Sequence, residues 1–300
     1  MSGSSRSSRV AYRGPTYLAQ DIATAITVLA SCLTVEPAEF DSHTVLTIGE
    51  FDSPAAKLAT AVYLVGSVAQ CVGADLQIRS ALFDETTLAR DIGADVVSVI
   101  GDTSADLDFK IMQRDPWVWE AISHLLIHLA QANAAYHPSG EILVKTQVKF
   151  DVHDHGLDIV AIYLGDELGI TAGECKAYLD DPARAITDAS NRLKEIDDNL
   201  RDMELRAAVN QLRPSLPAKH RESIGGTFWR QERSYFPFVC CDDAKAVDWK
   251  RSRSTLRALT LPAAKKLLVP LSLTDARKVF DEICDLMRVY VSGSGGPTNV

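Results

Sequence analysis

Asp158 is followed sixteen residues later by Glu174-Cys175-Lys176. The aspartate closes a polar turn, His153-Asp154-His155-Gly156, and opens an apolar run to Leu164. Glu174 and Lys176 stand in a stretch that is otherwise small and apolar. Two carboxylates and an ammonium on neighbouring strands can hold a hard divalent cation, Mg²⁺ or Mn²⁺, and activate a water. A lysine beside such a cation can orient that water or stabilise charge developing on a phosphate. The chemistry this set points to is hydrolysis of a phosphodiester bond.

The elements around these residues must bring them to one face. Residues 157–164 are apolar on both faces, as in a central strand. Residues 165–169 make a hairpin loop, and 170–178 form the next strand. If Leu164 pairs with Ile170, Lys176 falls opposite Asp158 and Glu174 opposite Val160. Glu174 and Lys176 then share a face with Asp158, whose diagonal distance to Glu174 is about 7–8 Å or less. A slip of one residue would turn Asp158 to the other side.

The preceding segment, 141–152, alternates. Ile142, Val144, Thr146, Val148 and Phe150 face inward, and Lys145, Gln147 and Lys149 outward. Before it, Asp115-Pro116 opens a helix over 116–134 with an apolar stripe. After the third strand, Asp180-Asp181-Pro182 caps a long helix whose stripe runs from Ile186 to Leu200. Strands are expected over 235–241 and 266–273, and a closing helix over 275–287. The fold class is α/β (α+β). In the N-terminal third, helices are expected from 17 to 33 and from Pro54 to Val68. Short strands are expected at 44–48, 75–83 and 95–100. This third, 1–110, reads as a mostly helical extension and a docking platform for a partner, and 111–290 as the catalytic core. Residues 1–12 and 291–300 read as disordered tails.

The order helix, three strands, helix, strand, with Asp158 and Glu174-x-Lys176 on it, resembles the PD-(D/E)XK nuclease superfamily. The resemblance covers about residues 115–245. Leu157 stands where that superfamily often has proline. The wording His155-Gly156-Leu157-Asp158, Gly173-Glu174-Cys175-Lys176 and Asp188-Ala189 is similar to HamA, the nuclease-subunit family of the Hachiman anti-phage system. The resemblance implies a restriction-endonuclease-like core and Mg²⁺- or Mn²⁺-dependent cleavage of DNA. Asp158 and Glu174 would be ligands, and Lys176 would be catalytic. It also implies a partner helicase (HamB-like) that restrains the nuclease. Many superfamily members place a glutamate on the first helix, and Glu120 is the acidic residue within 116–134 available for that role. Two alternatives stand beside this reading: a catalytically silent subunit that binds DNA or a helicase, and a restriction or repair nuclease outside Hachiman.

Composition bounds these readings. The chain has 300 residues, enough for one large or two modest domains, and a net charge of −9. Such acidity argues against a general nucleic-acid coat. A basic run (Lys245, Lys250, Arg251, Arg253, Arg257, Lys265 and Lys266, opposed by Asp248) reads best as a solvated surface. No apolar run reaches the roughly 20 residues of a membrane span, and no signal peptide is expected. The six cysteines make no Cys-x-x-Cys, so a reducing cytoplasm is the expected setting.

Other candidate sites are weaker. His153, His155 and Asp158 form a possible zinc trio, and His124 and His128 lie one helical turn apart. Cys175 should point away from its neighbours as a small core residue. Gly225-Gly226 is too short for a phosphate loop, and neither a Walker motif nor Gly-x-Ser-x-Gly is present.

Overall fold

The computed structural model describes residues 14, 17–69, 85–150, 156–225, 228 and 232–293. The expectations for residues 1–12, for a strand at 75–83, for His153 and His155, and for the end of the tail (294–300) lie outside the described residues. The helices longer than ten residues are α1 (Leu18–Cys32), α2 (Pro54–Val68), α3 (Glu85–Ile100), α4 (Asp115–Leu129), α5 (Pro182–Asp197), α6 (Asp202–Leu212) and α7 (Ala276–Val291). The strands are β1 (Thr34–Glu39), β2 (Thr44–Gly49), β3 (Glu141–Lys145), β4 (Ile159–Leu164), β5 (Leu168–Lys176), β6 (Arg233–Asp242) and β7 (Leu267–Leu273).

The fold is α/β, with a mixed seven-stranded sheet in the order β1-β2-β7-β6-β5-β4-β3. Strands β2, β7, β6 and β5 run parallel, β1 is antiparallel at one edge, and the β5-β4-β3 meander is antiparallel at the other. Parallel neighbours need crossovers. Between β5 and β6 that crossover includes α5, which Pro182 starts and the Asp181 carboxylate caps by accepting the Arg184 N–H. One face of the sheet packs on α4, α1, α2 and α7 through a large apolar cluster. The other packs on α5 and α6 through a second cluster.

The N-terminal third belongs to this same body. Its hairpin extends the sheet through β2 against β7, and Leu18, Ala61, Val62 and Val65 share one core with Trp119 and Phe280. The first of its two expected helices spans nearly the expected range, and the second starts where Ser53 accepts the Ala56 N–H. Residues 95–100 are not a strand: they are the last turns of α3, whose Ile92, Val96 and Ile100 are buried. The α5 stripe is also shorter than expected. The helix ends at Asp197, Asn199 takes a φ of 60°, and Leu200 is left 76% exposed. Phe150, expected inside, is 44% exposed. No helix among the described residues is long and apolar enough to cross a membrane.

Candidate active site

The meander sets the register. Leu164 pairs with Leu168 and Ile159 with Gly173. The loop is therefore Gly165-Asp166-Glu167, two residues tighter than expected. Extended by one step, this ladder puts Asp158 opposite Glu174 rather than Lys176. The slip is even, so the faces are unchanged. Val160, Ile162 and Ala172, which share the parity of Asp158 and Glu174, lie in the core beneath α5 and α6. Cys175 packs on the opposite core, as expected of it.

Asp158 is pinned from three directions. Its Oδ2 accepts the Cys175 N–H at 2.9 Å, and its Oδ1 accepts Lys149 Nζ at 2.9 Å. Its backbone carbonyl accepts His124 Nε2 at 3.0 Å. Helix α4 thus reaches the start of β4 through a buried imidazole. One turn earlier on α4, Glu120 is 7% exposed, and its Oε1 accepts the Lys149 N–H at 3.5 Å. Glu120 is therefore a buried helix acid, not one on a solvated face. Glu174 is 4% exposed, its Oε1 accepts Lys176 Nζ at 2.7 Å, and its Oε2 is buried without a hydrogen-bond partner.

Electrostatics ties these groups into one cluster. Burial and then the Asp158 charge push the Glu120 carboxyl up to about 8, against the pull of Lys149. Burial and Asp158 push Glu174 up to about 7, against Lys176. For Lys176, burial is outweighed by Glu174 and Asp158, and its ammonium is held above the ordinary lysine range. Lys149 is raised likewise, with Asp158 and Glu120 outweighing burial. The four residues expected from sequence, Glu120, Asp158, Glu174 and Lys176, are brought together from three elements: α4, the start of β4, and β5.

Lys149 is the member that sequence reasoning missed. Strict alternation put it on a solvated face with Lys145. A β-bulge between Ile142 and Val144 breaks that alternation, and β3 ends at Lys145. The chain then crosses toward α4, where Trp117 Nε1 donates to the Lys149 carbonyl. A lysine nine residues before the aspartate, in a segment that turns irregular, was the available signal. Lys145 is half-buried, and burial lowers its ammonium to about 7.

Among the described residues, no group of three or more His, Cys, Asp or Glu side chains is assembled as a ready metal site. Lysines sit on Asp158 and Glu174 instead. The donor set nonetheless fits a hard cation in type. All three acids offer oxygen, and the partnerless Glu174 Oε2 is a buried acceptor that lacks a donor or a cation. Of the two helix histidines, His124 donates to the Asp158 carbonyl, and His128 lies beside the Tyr63 ring, its imidazole lowered to about 4 by burial.

Two other polar groups have structural roles. His137 Nδ1 donates to the Gly140 carbonyl, and its Nε2 accepts from Thr171, which also bonds Ser234 at 2.7 Å. All three side chains are fully buried, and this Ser/Thr/His set fastens the 134–140 turn to β5 and β6. The basic run is dispersed. Lys266 is buried with Nζ on the Leu256 and Leu259 carbonyls, Lys265 pairs with Glu232, and Lys245, Lys250, Arg251 and Arg257 are exposed. No family model matches the chain, and neither a curated protein nor a solved structure matches it.

Proposed function

We propose that this protein is a metal-dependent DNA nuclease with a restriction-endonuclease-like core, the effector of an anti-phage defence system, restrained by a partner helicase as in Hachiman. One observation carries the catalytic part. Two buried carboxylates, Glu120 and Glu174, and the half-buried Asp158, from three different elements, converge with Lys176, and burial and repulsion from Asp158 raise the two buried ones. Strained acids grouped this way in a fold are characteristic of functional sites rather than of cores. The order α4, β3, β4, β5, α5, β6 supports the same reading.

Asp158, Glu174 and Glu120 would hold Mg²⁺ or Mn²⁺, which supplies charge neutralisation at the phosphate and a water of lowered pKa. Lys176, kept protonated by Glu174, donates a hydrogen bond that can orient the attacking water or stabilise negative charge on the phosphoryl oxygens. His124 and the Cys175 N–H hold Asp158 in place, so little reorganisation is needed when the reacting groups arrive. The helicase partner rests on the resemblance and on the net charge of −9, which suits DNA delivered by another subunit better than DNA captured alone.

Glu174→Ala and Lys176→Ala are each expected to abolish plasmid degradation in Mg²⁺ while the circular dichroism spectrum stays native. Normal cleavage by either variant would overturn the assignment. A silent, DNA- or helicase-binding subunit has one observation in its favour: lysines already neutralise two of the acids. Absence of cleavage by the purified chain, both alone and with its helicase, despite measurable DNA binding would establish that reading instead.

A further inference from the structure

Asp158 differs from its two companions in having both carboxylate oxygens engaged. Oδ2 is held by a backbone N–H that belongs to the sheet, and Oδ1 by the Lys149 ammonium, which also lies 3.4 Å from the Gly156 carbonyl. With every group ionised, the cluster holds three negative charges (Glu120, Asp158, Glu174) and two positive ones (Lys149, Lys176). A divalent ion added to that set would face two ammonium groups already in place. Lys176 has a partner of its own in Glu174. Lys149 is the cation that stands on Asp158, and it comes from a segment past the end of β3.

There is somewhere for it to go. A cavity of about 770 Å³ opens beside the site, and Lys149, Gly156 and Asp158 line it together with Lys145, Gln147 and Gln211. Gly156 has a φ of 140°, a conformation that favours glycine, and its bare Cα faces the Lys149 stem. An anionic phosphate entering this cavity offers the ammonium a second partner, next to another lysine and to amide donors.

On the metal-dependent reading above, we propose that Lys149 is a tethered counter-cation that occupies Asp158 until a nucleic-acid phosphate in the adjoining cavity draws it away. Metal and nucleic acid would therefore load together. The residue acts through Asp158 and is a gating residue. Two ligands whose sites are linked in this way raise each other's affinity by the same factor, commonly about 5- to 150-fold.

The test uses the full chain and Mn²⁺ as probe, read by calorimetry and by Mn²⁺-dependent thermal shift, with and without a short phosphorothioate single-stranded DNA. Wild-type protein should bind Mn²⁺ at least about fivefold more tightly with the oligonucleotide than without it. Lys149→Met should bind Mn²⁺ at least about fivefold more tightly than wild type in its absence, with no further gain on adding it. Lys149→Arg should follow wild type, and Asp158→Asn should lose binding. If Asp158→Asn loses Mn²⁺ but Lys149→Met binds no more tightly than wild type, the gating role is refuted and the metal site stands. Should Lys149→Met not fold, a wild-type affinity unchanged by the oligonucleotide refutes the role by itself. If neither wild type nor Lys149→Met takes up Mn²⁺ with or without oligonucleotide, the metal-dependent reading falls, and the gating role with it.

Discussion

Glu120 offers a direct measure of the strain in the carboxylate cluster. Its carboxyl is raised from an ordinary 4.5 to about 8, chiefly by burial and next by Asp158. A carboxyl raised on folding binds protons more tightly in the native state than in the unfolded one. The metal-free fold therefore loses stability as pH rises from about 4.5 to about 8, and keeps it below that window. At about 1.4 kcal/mol for each tenfold change, the ceiling is about 5 kcal/mol. Part of that belongs jointly to Asp158 and Glu174, so about 2 kcal/mol is a fair share for Glu120 alone. Glu120→Gln keeps the shape of the neutral acid and removes the charge. In chelator, it should match wild type in urea unfolding at pH 5 within about 0.5 kcal/mol. At pH 8 it should be more stable than wild type by about 2 kcal/mol. The same variant should bind Mn²⁺ more weakly, because it lacks a ligand. A stability difference that is equal at both pH values would refute the reasoning, since it would assign the effect to packing rather than to charge.

Three further outcomes follow from named contacts. Mn²⁺ affinity should rise from pH 6 to pH 8 with release of protons, because metal displaces protons from Glu174 (about 7) and Glu120 (about 8); calorimetry in buffers of different ionisation heat would detect a flat profile that contradicts this. His137→Ala should cost about 2–4 kcal/mol in chemical denaturation, since it unseats the Thr171 and Ser234 hydroxyls and a ring stacked on Phe236, while Mn²⁺ affinity of the folded fraction stays within about twofold. Gly140→Ala should destabilise by about 2–4 kcal/mol, because Gly140 sits at φ 149° and an added Cβ would lie 2.3 Å from the Leu164 carbonyl oxygen; a change below about 0.5 kcal/mol would contradict it.

Much of this fold was legible because its elements are punctuated. Ser53-Pro54 and Asp181-Pro182 mark helix starts by chemistry that does not depend on the rest of the chain. The meander was legible from its apolar runs. The face shared by Asp158, Glu174 and Lys176 came out correctly although the pairing was two residues off, because strand parity survives an even slip. Other features are set by tertiary context. Strand β1 is mostly exposed and carries Pro37 between two glutamates, the composition of an edge, and it has no apolar alternation to reveal it. The run Val96-Val97-Ser98-Val99-Ile100 has strand-like residues, but Ile92, Val96 and Ile100 have helical spacing and reach the core, which decides in favour of helix. Lys149 was hidden because a bulge in β3 is invisible to a rule of alternation. The burial of Glu120 is likewise set by tertiary context, where its Oε1 meets the Lys149 N–H.

The β1–β2 hairpin has a consequence for any attempt to isolate residues 111–290. Thr44 and Val45 pair with Leu267 and Leu268 of β7, whose residues are almost all buried. A chain beginning near residue 110 would lack that neighbour. It would carry β7 as a bare apolar rim with its backbone donors and acceptors open, a template for joining another copy strand to strand. Such a fragment would be expected to polymerise rather than to dissolve as a smaller domain. The N-terminal hairpin acts, in effect, as the selvedge that stops the sheet from growing.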